Sequence, residues 1–368
     1  MTEPEIIAAL RLQAVPNIGD ITAKKLIARC GSPEAVFKDK RQHLLKIDGI
    51  GQQILKHLFD TAYLDKAEAE MSFLVQQQIE TSYFMHQDYP EYLKHCPDGP
   101  ILLFKKGNID LRNRKIISIV GTRNITRYGE AFCETFIEEI APLDPVIVSG
   151  LAYGVDITIQ KAAMEKGLQT IACLAHGVNQ IYPRAHRKYA DRIAKNGGFL
   201  TDFWSTSTPE RENFLKRNRI IAGLSEVTVV VESAEKGGSL VTADLANGYN
   251  REVFAVPGRS TDKYSKGCND LIKRQKAHLL LSAAELVYLL GWELEDQKQE
   301  NTIQKQLFVE LTREENEIYA YLQSNGKQLL DVISLECRLP VYQASSTLLN
   351  MEMKGVIRPL PGKLFEAI

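Results

Sequence analysis

Asn213-Phe-Leu-Lys-Arg-Asn-Arg-Ile-Ile-Ala-Gly-Leu-Ser225, then Val227-Thr-Val-Val-Val-Glu232, Gly237-Gly-Ser-Leu-Val-Thr-Ala-Asp-Leu-Ala246 and Val253-Phe-Ala-Val-Pro-Gly258, is the stretch that decides the fold. An amphipathic helix leads into a largely apolar strand, a glycine-rich turn, a second helix and a second apolar strand. Paired glycines followed by Ser and Thr between a buried strand and a helix describe an anion cradle. The backbone N–H groups of Gly237, Gly238 and Ser239 are expected to face an anion, helped by the helix dipole. Lys216, Arg217 and Arg219 lie beside it in sequence, which points to a phosphate polymer or a nucleotide.

The same alternation extends back to residue 115. Strands are expected at 115–120, 145–149, 169–174, 199–201, 227–232 and 252–256. Helices are expected near 129–141, 155–166, 187–196, 211–223 and 241–250. Apolar strands separated by amphipathic helices make a mostly parallel sheet covered on both faces, an α/β doubly wound, Rossmann-like domain. Its limits are set at 82–292, with 82–112 read as extended and loop-rich.

Residues 1–81 have helical periodicity and two short loops, Val15-Pro-Asn-Ile-Gly19 and Ile47-Asp-Gly-Ile-Gly51, each expected to precede an amphipathic helix. These resemble helix-hairpin-helix motifs, whose turn amides contact a DNA phosphate. The competing reading is a small helical domain that uses glycine only to turn. Residues 293–308 are polar and read as a linker. Residues 309–368 are expected to hold helices near 313–323, 328–336 and 341–354 and a terminal hairpin, which together describe a winged helix.

Composition narrows the function classes. Net charge is -1, with 45 basic and 46 acidic residues, so any nucleic-acid surface must be a local patch. The six cysteines are scattered with no C-x-x-C pair, which disfavours a zinc ribbon and fits a reducing compartment. With no signal-peptide pattern and no apolar run of membrane-spanning length, a cytoplasmic protein is expected, without membrane partners, metal or cofactor.

Strand carboxyl ends of an open α/β sheet collect ligands. There stand Gly121, Thr122 and Arg123, the turn Ser149-Gly-Leu-Ala-Tyr-Gly-Val-Asp156, and Tyr182-Pro-Arg184 with Arg187. Tyr182 amid cations suits base stacking with backbone neutralisation. Arg211, Lys216, Asn218, Lys273 and Arg274 complete the candidate surface. Arg217 and Arg219 are read equally well as buried structural partners. No nucleophile, acid/base pair or compact G-x-G-x-x-G is placed by spacing, so no catalytic residues are assigned. The apolar residues Leu271, Ile272 and Leu279 are read as a dimer interface.

Segments 119–123, 149–156, 182–183, 217–224, 238–242, 251–258 and 267–272 together resemble the bacterial DNA-processing protein A family (DprA, also called Smf). The resemblance implies single-stranded DNA binding, homodimerisation and loading of the RecA recombinase onto incoming DNA during natural transformation, without enzymatic turnover; single-strand-binding protein is a further candidate partner. Thr122 stands in place of the usual Ser, Gln160 in place of a common His, and Gln275-Lys-Ala277 in place of a usual Gly-Ala. The competing class is a nucleotide-processing enzyme, similar to phosphoribohydrolases, that uses the cradle for one nucleotide.

Overall fold

The computed structural model describes residues 2–292, 311–360 and 364–367. The chain divides into two compact units, Met1–Leu294 and Glu295–Ile368. The linker expected at 293–308 lies outside the described residues.

The first unit begins with helices α1 (Glu3–Ala14), α2 (Asp20–Cys30), α3 (Pro33–Lys38), α4 (Arg41–Leu44) and α5 (Ala62–Gln76). Both expected hairpin loops are there. Asn17 adopts the left-handed conformation with φ 65°, and Gly49 does the same with φ 79°. Asn is among the few side-chain-bearing residues that tolerate this region, so Asn17 can take in the first loop the place that Gly49 takes in the second. The helix expected after the second loop is not formed. Residues 52–59 are a succession of turns, because their amides reach back three residues more often than four, as in Ile54 N to Gly51 O (3.1 Å) and Lys56 N to Gln53 O (3.4 Å).

The sheet is built from β1 (Glu80–Tyr83), β2 (Leu102–Asn108), β3 (Ile116–Val120), β4 (Val146–Ser149), β5 (Thr170–Cys173), β6 (Gly197–Thr201), β7 (Val227–Val230), β8 (Glu252–Ala255) and β9 (His278–Leu279), in the order β1-β2-β6-β5-β4-β3-β7-β8-β9. β3 to β9 run parallel, with Ser118 opposite Val148 on one side and Thr228 on the other. Every residue of β3, β4, β5, β6 and β7 is buried, which is why these strands do not alternate between apolar and polar residues. β1 and β2 form an antiparallel edge where loops were expected. β2 passes from core to solvent along its length, so neither strand alternation nor a buried run marked it.

Helices α6 (Glu91–Lys94), α7 (Arg127–Ile140), α8 (Val155–Glu165), α9 (Ala190–Lys195), α10 (Arg211–Leu224), α11 (Gly238–Gly248), α12 (Lys266–Lys273) and α13 (Ala283–Leu290) complete the unit. One core lies under α10, α11 and α12, and another under α7, α8 and α13. A third runs without interruption from Leu10, Leu26 and Leu55 of the helical segment to Ile101, Phe104, Ala172 and Phe199 of the sheet. Each such leucine contributes about 1.5–3 kcal/mol when fully buried. Polar bonds fix the same contact. Buried Glu70 accepts from the Ser205 amide (2.8 Å) and hydroxyl (2.5 Å), and Trp204 Nε1 donates to Gln13 Oε1 (3.1 Å). The expected boundary at residue 81 falls within β1.

The second unit comprises α14 (Arg313–Asn325), α15 (Leu330–Glu336), α16 (Val341–Met353) and a small sheet of β10 (Gln328–Leu329), β11 (Ile357–Leu360) and β12 (Leu364–Ala367), ordered β10-β12-β11. Ile318, Leu322, Ile333, Leu348 and Met351 form its core. Three helices with a terminal hairpin make the winged helix that the sequence describes.

Candidate nucleic-acid interface

The sheet order reverses at β3, whose neighbours β4 and β7 are entered by connections running in opposite directions. Crevices open at such a point, beyond the strand carboxyl ends. Here the loop 121–124 is wedged on both sides. Thr122 N donates to Glu232 O (2.7 Å), and Val155 N donates to Thr122 O (3.1 Å). Gly154 has φ 75°, and a Cβ there would stand 2.2 Å from Thr122 O, so only glycine allows this approach. The Thr122 hydroxyl accepts from Asn124 N at 3.2 Å and so shapes the loop. Arg123 is left exposed at its tip.

Arg123 does not stand alone. Its guanidinium carbon lies 5.2 Å from the centre of the Phe214 ring, on the first half of α10, and the Tyr182 ring is centred 5.8 Å from the same ring. Tyr182 is 43% exposed. An exposed cation and two aromatic rings in contact provide phosphate neutralisation beside stacking faces. Arg184 and Arg187 are exposed on the adjoining 3-10 helix Arg184–Tyr189. Arg211 and Lys216 are exposed on α10, and Lys216 also lines a cleft of about 590 Å³ with Gly19, Asp20 and Ile21 of the first hairpin.

The neighbouring arginines of α10 face inward. Arg217 is buried, and its Nη1 donates to Cys173 O at 2.5 Å. It lies flat on Gly150, where a Cβ would come within 2.2 Å of the guanidinium. Burial weakens its hold on the proton, and Asp156 opposes that effect. Burial likewise pushes the Asp156 carboxyl up, against the pull of Arg217. Asp156 sits just inside α8 and accepts from Ala152 N (3.3 Å) instead of capping the helix. Arg219 pairs with Asp20 at 3.0 Å, with Asp202 more closely, and donates to the Asp98 carbonyl. Burial works against its charge, but Asp202 and Asp20 outweigh burial and hold the guanidinium protonated. Both arginines are therefore engaged inside the protein. Arg217 also approaches the Phe214 ring, at 5.9 Å, and so supports the exposed cluster from within.

The cradle is narrower than expected. Gly237 N donates to Ala234 O (3.1 Å), which removes one of the three amides. Gly238 and Ser239 occupy the first positions of α11, where amides have no intrahelical acceptor. The Ser239 hydroxyl is buried on Ser233 Oγ (2.9 Å), and Asn218 Nδ2 reaches Gly238 O (3.4 Å). Gly121 is half-buried in the adjoining loop. Lys273 and Arg274 are exposed but are not brought to this site. α12 begins against the loop after β7, with Gly267 N on Ser233 O (2.9 Å), and carries them to its far end. Leu271 belongs to the core, whereas Ile272 is half-buried and Leu279 is 44% exposed on the edge strand β9.

The carboxylates and histidines near the crevice are also engaged. Buried Glu232 accepts from Thr126 N (2.9 Å) and Oγ1 (2.6 Å) at the start of α7. His176 contacts Gly177 O (2.9 Å) through Nδ1, and burial lowers its proton affinity. His186 Nδ1 contacts Leu151 O (2.8 Å), under the exposed ring of Tyr153. Gln160 is buried with Nε2 on Ile171 O (3.1 Å). Among the described residues no group of three His, Cys, Asp or Glu side chains is placed to hold a metal, and no helix is long and apolar enough to cross a membrane. Sequence reasoning missed Phe214 and Tyr153. Phe214 carried a signal: an aromatic residue one turn before Arg217 in a helix otherwise buried through its second half.

Comparison with known proteins gives a consistent result. Residues 80–291 match the family described as DNA recombination-mediator protein A, and residues 306–363 match the DprA winged helix domain. The chain is 41% identical over 212 residues to DNA processing protein DprA of Bacillus subtilis, covering 57% of this chain and 71% of that one. It is 35% identical over 279 residues to protein Smf of Escherichia coli, covering 74% of each. The X-ray structure of DNA processing protein A from Streptococcus pneumoniae superposes with a TM-score of 0.66 at 30% identity, covering 78% of this chain and 98% of that one. DNA processing protein A of Helicobacter pylori, described for its unique single-stranded DNA binding mode, gives 0.52 at 30% identity, over 58% of this chain and 95% of that one.

Proposed function

This chain belongs to the DNA recombination-mediator protein A family, also called DNA-processing protein A or Smf, and from that premise we propose that it binds single-stranded DNA at the carboxyl end of its sheet. The observation that carries the reading is the contact of exposed Arg123 with Phe214, beside exposed Tyr182. Phosphate meets Arg123, Arg184, Arg187, Arg211 and Lys216 and the amides of Gly238 and Ser239. Bases stack on Tyr182 and Phe214. Gly121, Thr122, Asn218, Arg217 and Arg219 shape the groove without touching the strand.

The role is binding and transfer, not turnover. Asp156 and Glu232, the buried carboxylates at the strand ends, are committed to internal partners and so are not free for acid/base work. The strand so held is handed to RecA in the cytoplasm, as the family resemblance implies, from DNA coated by single-strand-binding protein. A homodimer forms through the β9 edge, with Ile272 and Leu279 in contact, and a second protomer brings Lys273 and Arg274 to the bound strand. In this reading the helical segment and the sheet, which share one core, act as one module and the winged helix as another.

Titration with labelled oligothymidylate and with blunt duplex of equal length tests the proposal. Preference for the single strand is expected, with a salt slope of roughly −0.7 per phosphate contacted. Equal affinity for both at moderate salt rejects it. RecA filament formation on strands precoated with single-strand-binding protein tests the transfer step.

A further inference from the structure

The groove at the sheet end leaves the second hairpin of the helical segment without a role. Between residues 24 and 57, eight lysines and arginines are set against three carboxylates, in a chain whose net charge is -1. Lys24 turns away to the Cys96 and Pro97 carbonyls and Lys38 pairs with Glu34, but other members of the excess reach the turn Ile47-Asp-Gly-Ile-Gly51. Lys25 crosses from α2 to the turn, with Nζ on Asp48 O at 3.4 Å and 3.1 Å from the position a Gly49 Cβ would take. Arg29 lies one helical turn further along the same face. Arg41 reaches over from α4 with Nη2 on Gln52 O at 3.2 Å. Lys40, Lys46 and Lys56 are exposed, and none of them forms an ion pair among the described residues.

The backbone adds to the charge. Ile50 N donates to Ile47 O (3.0 Å) and Leu55 N to Gly51 O (3.3 Å). The amides of Gly51, Gln52 and Gln53 make no hydrogen bond among the described residues, and all three residues are exposed. Successive solvent-facing amides within a ring of unpaired cations form an anion-binding surface, sequence-tolerant because it offers no base-reading group. The surface also continues from the sheet-end groove. Lys216 of α10 faces Gly19, Asp20 and Ile21 across one cleft, and α2 runs from there to Lys25 and Arg29.

We propose that the second hairpin is a second contact for the sugar–phosphate backbone of DNA, engaging the nucleic acid beyond the stretch held at the sheet end. The proposal rests on the single-strand reading for the first contact, but its own residues are separate from that site.

The test compares the full-length protein with a variant carrying Lys40→Ala, Lys46→Ala and Lys56→Ala, whose melting curve serves as the check on folding. Three probes are used: an oligothymidylate just long enough for the sheet-end groove, one several times longer, and a short strand joined to a duplex. The variant is expected to bind the short strand as the wild type does. On at least one of the other two probes it is expected to bind several-fold more weakly, and its salt slope to fall by roughly 0.7 to 0.9 for each phosphate lost. A loss on the long strand identifies continuing single strand as the ligand, and a loss on the tailed duplex identifies duplex. Unchanged affinity and salt slope on both overturns the proposal. If the wild type itself fails to bind the short strand, the sheet-end reading fails, and a loss confined to the other probes still supports the hairpin.

Discussion

The second hairpin and the winged helix both have shapes that nucleic-acid proteins often use, and their surfaces are opposite in character. The hairpin gathers unpaired cations and free amides. The winged-helix unit presents Tyr342 at 78% exposure, Leu349 at 56% and Met353 at 82% on α16, the helix that would enter a groove. The only acidic or basic side chain within α16 is Glu352, and Lys354 just beyond it is held by Glu315 at 2.6 Å. Phosphate binding depends on cations that are free to meet phosphate. Shape alone therefore does not assign either element to DNA. The charge surface assigns the hairpin and withholds the winged helix, whose apolar face suits protein contact.

Four measurements can break or sharpen this contrast. The largest effect is expected from Arg219→Ala, which leaves Asp20 and Asp202 buried without their cation at the joint that holds the hairpin segment to the sheet. Breaking a buried ion group in this way costs about 3–5 kcal/mol. A urea denaturation curve matching the wild type would mean that the hairpin is not held in place by this joint. Next, Arg123→Ala should weaken strand binding by about 1.5–3 kcal/mol and Phe214→Ala by about 1–3 kcal/mol, with unchanged melting. These losses set the scale for judging the hairpin cations, and a hairpin variant that loses more than either would reverse the order of the two sites.

The third measurement concerns acid. Burial pushes Glu315 up, but the Lys354 ammonium and the Thr312 amide and hydroxyl outweigh it and hold the carboxyl below its ordinary value. Its contribution is thus present above the unfolded-state value and lost as pH falls through the lowered one. The winged-helix signals in NMR spectra of the full chain should lose stability on acidification. Glu315→Gln, which keeps a side chain able to close the capping box, should remove that sensitivity and cost about 1 kcal/mol at neutral pH through the lost ion pair with Lys354. An unaltered acid response in the variant would reject the assignment. The smallest effect is expected from Met353→Ala and Tyr342→Ala, within about 0.5 kcal/mol in stability and with no change in strand affinity. A tenfold loss of affinity would place the winged helix on DNA after all.

Much of this was legible in the sequence because parallel strands buried on both faces show mostly apolar runs without alternation, and β3, β4, β5 and β7 all do so. β2 did not, since half of it is solvated, and β9 is too short to show any period. The glycine turns marked the right end of the sheet. The direction of each side chain was not legible. Lys216, Arg217 and Arg219 look alike in sequence, and only helix rotation decides that Lys216 is exposed while the other two meet Cys173 O, Asp20 and Asp202. The same limit separates Leu271, which is core, from Leu279, which is surface. Lys273 and Arg274 were grouped with the cradle by charge, and the length of α12 carries them away from it.

The core shared by the helical segment and the sheet also has a consequence in time. A ribosome releases α1 to α5 well before it releases Ile101, Phe104, Ala172 and Phe199, against which their apolar faces close. At synthesis rates of about 5–20 residues per second, the delay is on the order of ten seconds. During that interval the first segment carries an open apolar face, so nascent chains halted near residue 100 are expected to recruit chaperones. Chains halted beyond residue 201, once β6 is free of the ribosome, are expected to release them. Equal chaperone occupancy at both lengths, measured on stalled ribosomes, would show that the helices close on themselves first.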